Sequence, residues 1–268
     1  MASSYSEVYA SWRNNPVGFW MEQAEAIDWF TKPTTAFDPD QGVYGGWYPD
    51  GITNTCHNCL DRHVAAGRGE QAALIYDSPI TGAKRTISYA AMLAEVEAFA
   101  GAMSDKGVGK GDRVVIYMPM VPEAIVAMLA CARIGAIHSV VFGGFAAHEL
   151  ATRIEDSHAK LIVSASCGIE PGRIVAYKPL LDSAIEQSRH KPDATIILQR
   201  DEHRCELTPG RDEDYAALIE ANAGRKIACT PVQATDPLYI LYTSGTTGQP
   251  KGVVRDNGGH MAALYWSM

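Results

Sequence analysis

The sequence predicts an α/β fold: mostly parallel sheets flanked by helices. Two observations carry this. Short apolar runs recur at 113–117, 137–142, 161–165, 195–198 and 238–242, and helical stretches such as 146–157 and 175–187 separate most of them. A parallel connection needs a crossover, so strands joined through helices lose both faces to the interior and read as apolar throughout. A chain of 268 residues can bury such a core, as one large domain or two smaller ones.

Two helices open the chain. The second, over 17–30, sets Phe19, Trp20, Ala24, Ile27 and Phe30 mostly along one stripe, which calls for a large packing partner. Residues 31–51 then turn irregular, with Pro33, Pro39, Gly42, Gly45, Gly46 and Pro49. This extended connector marks the boundary between an N-terminal extension, 1–50, and a main domain, 51–268. A helix over 54–66 precedes a short strand at 72–76. Tyr89, Met92, Leu93, Val96, Phe99, Ala100 and Met103 follow the spacing of an amphipathic helix, which ends at Gly107. The turn 107–112 leads into the strand at 113–117, and Pro122 opens the next helix with Glu123 beside its positive end.

Lys plus Arg number 23 against 31 Asp plus Glu, a net charge of −8 that argues against nucleic acid as a partner. No apolar run approaches the ~18 residues of a membrane span, and the N-terminus lacks the basic and apolar regions of a signal peptide. Six cysteines spread over a large chain read as reduced thiols in a cytoplasmic protein.

The most informative stretch is Leu241-Tyr-Thr-Ser-Gly-Thr-Thr-Gly-Gln-Pro-Lys-Gly252. It leaves an apolar strand and is packed with hydroxyls, glycines and one cation. Gly245 and Gly248 let the backbone approach a ligand closely, and Thr243, Ser244, Thr246 and Thr247 add donors. Lys251 supplies a full positive charge. Hydrogen bonds to charged oxygens contribute roughly 1.5–3 kcal/mol each, so a few hold a triphosphate firmly. The common P-loop places Ser or Thr directly after its Lys; here Pro250 and Gly252 flank Lys251, so this is not that loop. A Gly/Ser/Thr surface linker is the bland alternative, but the apolar run in front and the order of hydroxyls oppose it.

Residues 242–252 resemble the phosphate-binding signature of the adenylate-forming superfamily of acyl-CoA synthetases, luciferases and peptide-synthetase adenylation domains. Pro16-Val-Gly-Phe-Trp-Met-Glu-Gln-Ala, Ile27-Asp-Trp-Phe, Asn58-Cys-Leu-Asp-Arg-His63 and Val141-Phe-Gly-Gly-Phe145 are similar to acetyl- and propionyl-CoA synthetases. The stretches 46–59, 168–173, 207–210 and 253–260 fit the propionyl branch better. The resemblance implies the incomplete N-terminal portion of the large domain of an adenylate-forming enzyme.

It also implies a reaction. Propionate attacks the α-phosphorus of ATP to give propionyl-adenylate and pyrophosphate, and CoA then displaces AMP. ATP, Mg²⁺ and CoA are the cofactors and substrates, with Lys251 catalytic and Thr243, Ser244, Gly245, Thr246, Thr247, Gly248 and Lys251 on the phosphates. Phe142, Gly143, Gly144 and Arg173 match the nucleotide end of the CoA site, although Glu170 stands where acetyl enzymes carry Arg. No Ser-His-Asp or Cys-His signature suggests another chemistry. The acyl pocket, the adenine and Mg²⁺ ligands and the C-terminal catalytic Lys are expected beyond Met268. The 268 residues alone are therefore expected to be inactive and, with unpaired sheet edges, prone to self-association. Activation of acetate or acrylate and a non-catalytic nucleotide-binding module are the alternatives.

Other motifs read as structural. Cys56-His-Asn-Cys59 with His63 is thin as a zinc site, and no metal ligand set is assigned. Gly107-x-Gly-x-Gly111 precedes a strand, the reverse of a dinucleotide fingerprint. Residues 200–204 and 211–214 read as solvated surface.

Overall fold

The computed structural model describes residues 4–243 and 250–268. Helix α1 (Tyr5–Asn14) starts at Ser4, whose hydroxyl accepts the Glu7 N–H while Glu7 reaches back to the Ser4 N–H. Asn15 caps α2 (Pro16–Ala24). This helix is shorter than its apolar stripe predicts, because the Trp29 indole donates to the Ala24 carbonyl at 2.8 Å and the chain turns away. The connector holds a small antiparallel pair, β1 (Phe37–Asp38) with β2 (Gly46–Trp47), followed by β3 (Ile52–Thr53). The expected helix over 54–66 is present but carries two wide-turn π segments, His57–Asp61 and Val64–Arg68.

Strands β4 (Ala72–Ser78) and β5 (Ala83–Ser88) form an antiparallel hairpin, and Ser88 caps α3 (Tyr89–Asp105). Then come β6 (Arg113–Met118), α4 (Pro122–Arg133), β7 (Ile137–Phe142), α5 (Ala147–Ser157) and β8 (Leu161–Ala165). A second hairpin, β9 (Cys167–Glu170) with β10 (Arg173–Ala176), precedes α6 (Tyr177–Gln187). The chain continues through β11 (Ala194–Leu198), β12 (Asp212–Asp214), α7 (Tyr215–Ala221), β13 (Val232–Gln233), β14 (Pro237–Thr243), β15 (Lys251–Asp256) and α8 (Gly258–Ser267).

Seven strands form the central sheet in the order β12-β11-β8-β6-β7-β14-β15. All neighbours pair in parallel except β14 with β15. The connections β6-α4-β7 and β7-α5-β8 run in opposite directions across the sheet, so right-handed crossovers put α4 and α5 on opposite faces. Helices α3, α4 and α7 pack together in one layer, and α5 with α6 in the other. The middle strands β6 and β8 are buried almost throughout, as the apolar runs require. A smaller core of Ala24, Ile27, Ala36, Tyr48, Ala234, Met261 and Ala262 joins the N-terminal segment to α8.

The segment 211–214 is not solvated surface. It forms edge strand β12, and the Asp212 side chain has no exposed area. Arg211, Thr195, the Thr208 N–H and Lys178 surround its carboxylate and hold it well below the usual carboxylate range, against the opposing effect of burial. Among the described residues, no helix is long and apolar enough to cross a membrane.

Candidate functional site at the carboxyl edge of the sheet

The parallel strands β6, β7, β8, β11 and β14 all end at one edge, and the residues that the sequence assigns to phosphate and CoA binding follow those ends. Strand β14 delivers Thr243 to this edge and antiparallel β15 leaves it with Lys251, the two residues standing directly opposite in register. Both are exposed. Ser244, Gly245, Thr246, Thr247 and Gly248 lie outside the described residues. The element that follows is a strand, whereas a Walker loop leads into a helix whose N-terminus adds positive potential. Among the described residues, Lys251 supplies the positive charge at the mouth of the β14–β15 pair.

The base of this hairpin is clamped to α5. The Tyr242 hydroxyl donates to Asp156 at 2.5 Å. Burial, and then Asp156, raise the pKa of that hydroxyl well above the usual phenol value. Gly252 lies across the pair from Tyr242, where a Cβ would stand 3.3 Å from the ring. Arg153 on α5 places its guanidinium 5.3 Å from the centre of the Tyr242 ring and 5.0 Å from that of Phe145. Glu149 holds Arg153 at 2.7 Å. One buried cation thus bridges the β14–β15 pair and the Phe142–Phe145 turn.

That turn is built around two tyrosines. The Tyr117 hydroxyl donates to the Phe145 carbonyl at 3.0 Å and accepts the Gly144 N–H at 3.3 Å. Its ring packs 4.9 Å from that of Tyr177. A Cβ on Gly143 would meet the Tyr177 hydroxyl at 2.3 Å and the Met118 carbonyl at 2.8 Å, so only glycine fits this close approach. A Cβ on Gly168, in the β9–β10 hairpin, would meet the same hydroxyl at 2.3 Å. Tyr177 therefore wedges between the two glycine-bearing segments, and burial pushes its hydroxyl up to about 12.

The chain order reverses here: β7 lies on one side of β6 and β8 on the other. Open α/β sheets bind ligands in the crevice beyond such a switch point. The crevice has a volume of about 390 Å³, and Met118, Phe142, Gly143, Glu170, Tyr177 and Arg200 are among its walls. Phe142 is mostly exposed at its lip. Arg173 sits across the hairpin from Glu170, and the two side chains pair at 2.6 Å. Glu170 therefore competes with an incoming anion for Arg173. The pair is exposed, and such pairs contribute about 0–1 kcal/mol, so displacement costs little.

Arg200 belongs to this crevice although its sequence neighbourhood reads as solvated surface. Its side chain is 11% exposed, and its guanidinium donates to the Cys167 carbonyl at 3.2 Å. The available signal was positional, since Arg200 follows the apolar run of β11 at the carboxyl edge. The zinc reading of Cys56, Cys59 and His63 fails geometrically. Cys56 turns inward toward Asp61 and Cys229, while His63 faces Arg68 and the Tyr89 ring.

Glycine-bearing turns at a switch point, beside the antiparallel β14–β15 pair with Thr243 and Lys251 facing each other, make this edge of the α/β sheet the candidate ligand site. The chain belongs to the AMP-binding enzyme family, which matches residues 61–268, while the family described as acetyl-coenzyme A synthetase N-terminus matches residues 5–59. It lies in the acetyl-CoA synthetase-like branch, among propionyl-CoA synthetase-type members. The chain is 49% identical over 265 residues to an uncharacterized protein of Pseudomonas aeruginosa, covering 99% of this chain and 42% of that one. It is 48% identical to acyl-CoA synthetase short-chain family member 3, mitochondrial, of Rattus norvegicus (98% and 38%). It is 45% identical to propionate–CoA ligase of Escherichia coli K12 (99% and 42%). The chain spans about two fifths of the length of these curated relatives.

Proposed function

We propose that this chain forms the phosphate-gripping and CoA-facing front of an AMP-forming acid–CoA ligase, with propionate as the acid. Residues 1–50 act as its N-terminal extension and 51–268 as the first part of its adenylation domain, in the cytoplasm. The observation that carries the reading is the juxtaposition of the Thr243–Lys251 hairpin mouth and the Gly143–Gly144 turn on one sheet edge, linked through Arg153. The E. coli relative named propionate–CoA ligase supports the choice of acid.

A carboxylate is a poor nucleophile, so the first half-reaction rests on positioning and on charge neutralisation. As propionate attacks the α-phosphorus of MgATP, negative charge gathers on the departing pyrophosphate. Lys251, Thr243 and the amides and hydroxyls of residues 244–248 meet that charge. In the second half-reaction the CoA thiol displaces AMP. Phe142, Gly143 and Gly144 then shape the crevice for the nucleotide end of CoA, and Arg173, released from Glu170, meets its phosphates.

In a chain as long as these relatives, Lys251→Ala lowers propionate-dependent ATP–pyrophosphate exchange by about a hundredfold or more. Unchanged exchange would remove Lys251 from the mechanism. The 268-residue chain alone gives no propionate-dependent pyrophosphate release. Robust release by the purified chain would contradict that part of the proposal.

A further inference from the structure

Away from the carboxyl edge, two thiols meet that the proposed reaction does not use. Cys56, Asp61 and Cys229 bring their ligand atoms within 4.8 Å of one another. Cys56 is fully buried and Cys229 is half-buried, so the pair has one inner and one outer sulfur. The Arg133 guanidinium donates to the Cys56 sulfur at 3.4 Å and to both Asp61 oxygens at 2.9 and 3.0 Å. The Cys229 thiol donates to Asp61 at 3.6 Å. Three potential ligands suggest a metal, but a buried guanidinium already occupies Asp61 from two sides and brings its own positive charge. That arrangement repels a cation and leaves the two sulfurs free to react with each other.

The backbone presents the two sulfurs to each other. Strands β3 and β13 pair antiparallel with Thr53 opposite Val232, and Cys56 and Cys229 each lie three residues beyond that pair, at matching positions. The Asn54 side chain donates to the Thr230 carbonyl at 2.9 Å and fixes the two segments side by side.

We propose that Cys56 and Cys229 form a reversible disulfide when the protein meets a hydroperoxide. Asp61 accepts the Cys229 proton, and the Cys229 sulfur attacks one oxygen of the peroxide. The O–O bond breaks, the leaving hydroxide takes that proton from Asp61 and departs as water, and a sulfenic acid forms on Cys229. The Cys56 sulfur then attacks the Cys229 sulfur, the S–O bond breaks, and a second water leaves with the Cys56 proton. Two thiols and one hydrogen peroxide become one disulfide and two waters. The product closes a long loop and staples the helix before β4 to the connector leading into β14, the strand that carries the phosphate hairpin. Long closed loops give the largest stabilisation in the chain-entropy view.

The test treats the purified chain with hydrogen peroxide, alkylates the remaining thiols and maps the peptides by mass spectrometry. The expected product is a Cys56–Cys229 cross-link, two hydrogens lighter, with Tm raised by about 5–10 °C and restored by dithiothreitol. Cys229→Ser abolishes cross-link and Tm rise together, while Cys59→Ser keeps both. Three outcomes would overturn the proposal: Cys56 recovered alkylated while Cys229 is over-oxidised, linkage of either thiol to another cysteine, or stoichiometric zinc that protects both thiols from peroxide.

Discussion

The two edges of the central sheet are built to opposite specifications. At the carboxyl edge, the Glu170–Arg173 pair is solvated, Phe142 and Leu241 are exposed, and glycines at 143, 144 and 168 line the turns. At the amino edge, Arg133 at the end of α4 is 2% exposed. It binds Asp61, Glu97 and the Ile227 carbonyl. Asn54 ties the same corner to the Ala132 and Thr230 carbonyls. Buried, saturated polar networks cannot exchange partners without large cost, whereas exposed pairs can. The comparison teaches where ligand exchange is affordable in this fold: the amino edge fixes the frame and the carboxyl edge trades contacts.

Three experiments test whether the two edges differ in this way. The largest effect belongs to Arg133→Leu, which leaves Asp61 and Glu97 without their shared cation. We expect a loss of about 3–5 kcal/mol in denaturant unfolding. A loss below about 1 kcal/mol would show that the amino edge is not the anchor.

Next comes acid sensitivity near the same end of the sheet. His138 on β7 is buried beside the Tyr239 ring, and its Nδ1 has no hydrogen-bond partner among the described residues. Burial, helped by His260, pushes it down from 6.5 to about 4. Between those values the unfolded chain binds the proton and the folded chain does not. The contribution of neutral His138 is thus complete above pH 6.5 and is lost as pH falls toward 4, by about 3 kcal/mol in all. As pH falls through that window, the stability of the wild type should drop relative to that of His138→Phe by about 3 kcal/mol, since only the wild type carries this loss. Parallel curves would contradict the assignment.

The smallest effect lies at the carboxyl edge. Glu170→Gln should change stability by less than about 1 kcal/mol because the pair is exposed. The same variant should lower the KM for CoA in a chain as long as the relatives, by freeing Arg173. An unchanged KM would separate Arg173 from CoA.

The central sheet was legible because β6, β8 and β11 are apolar runs that burial demands, while β7 and β14 are apolar runs only partly buried. What stayed hidden were the elements whose polar residues find partners in space. Strand β5 carries Lys84 and Arg85 on a solvated hairpin, and Arg85 reaches Glu123 on α4. Strand β12 is acidic, and its burial depends on Arg211, Thr195 and Lys178, none of which a local pattern can place around Asp212. At the site, the Gly143–Gly144 turn and Arg173 were readable from their motifs. Tyr177 and Arg200 were not, because their roles arise only when β8 and β11 bring them to the switch point. The early end of α2 coincides with a local side-chain contact that an apolar pattern does not reveal, the Trp29 indole taking the Ala24 carbonyl five residues back.

The central claim is that the turn joining β14 to β15 grips the triphosphate. The most direct measurement is a crystal structure, with a non-hydrolysable ATP analogue, of a chain as long as the relatives. The account predicts phosphate oxygens within hydrogen-bonding distance of Thr243, Lys251 and the amides between them. A polyphosphate bound elsewhere, with those residues facing solvent, would contradict it.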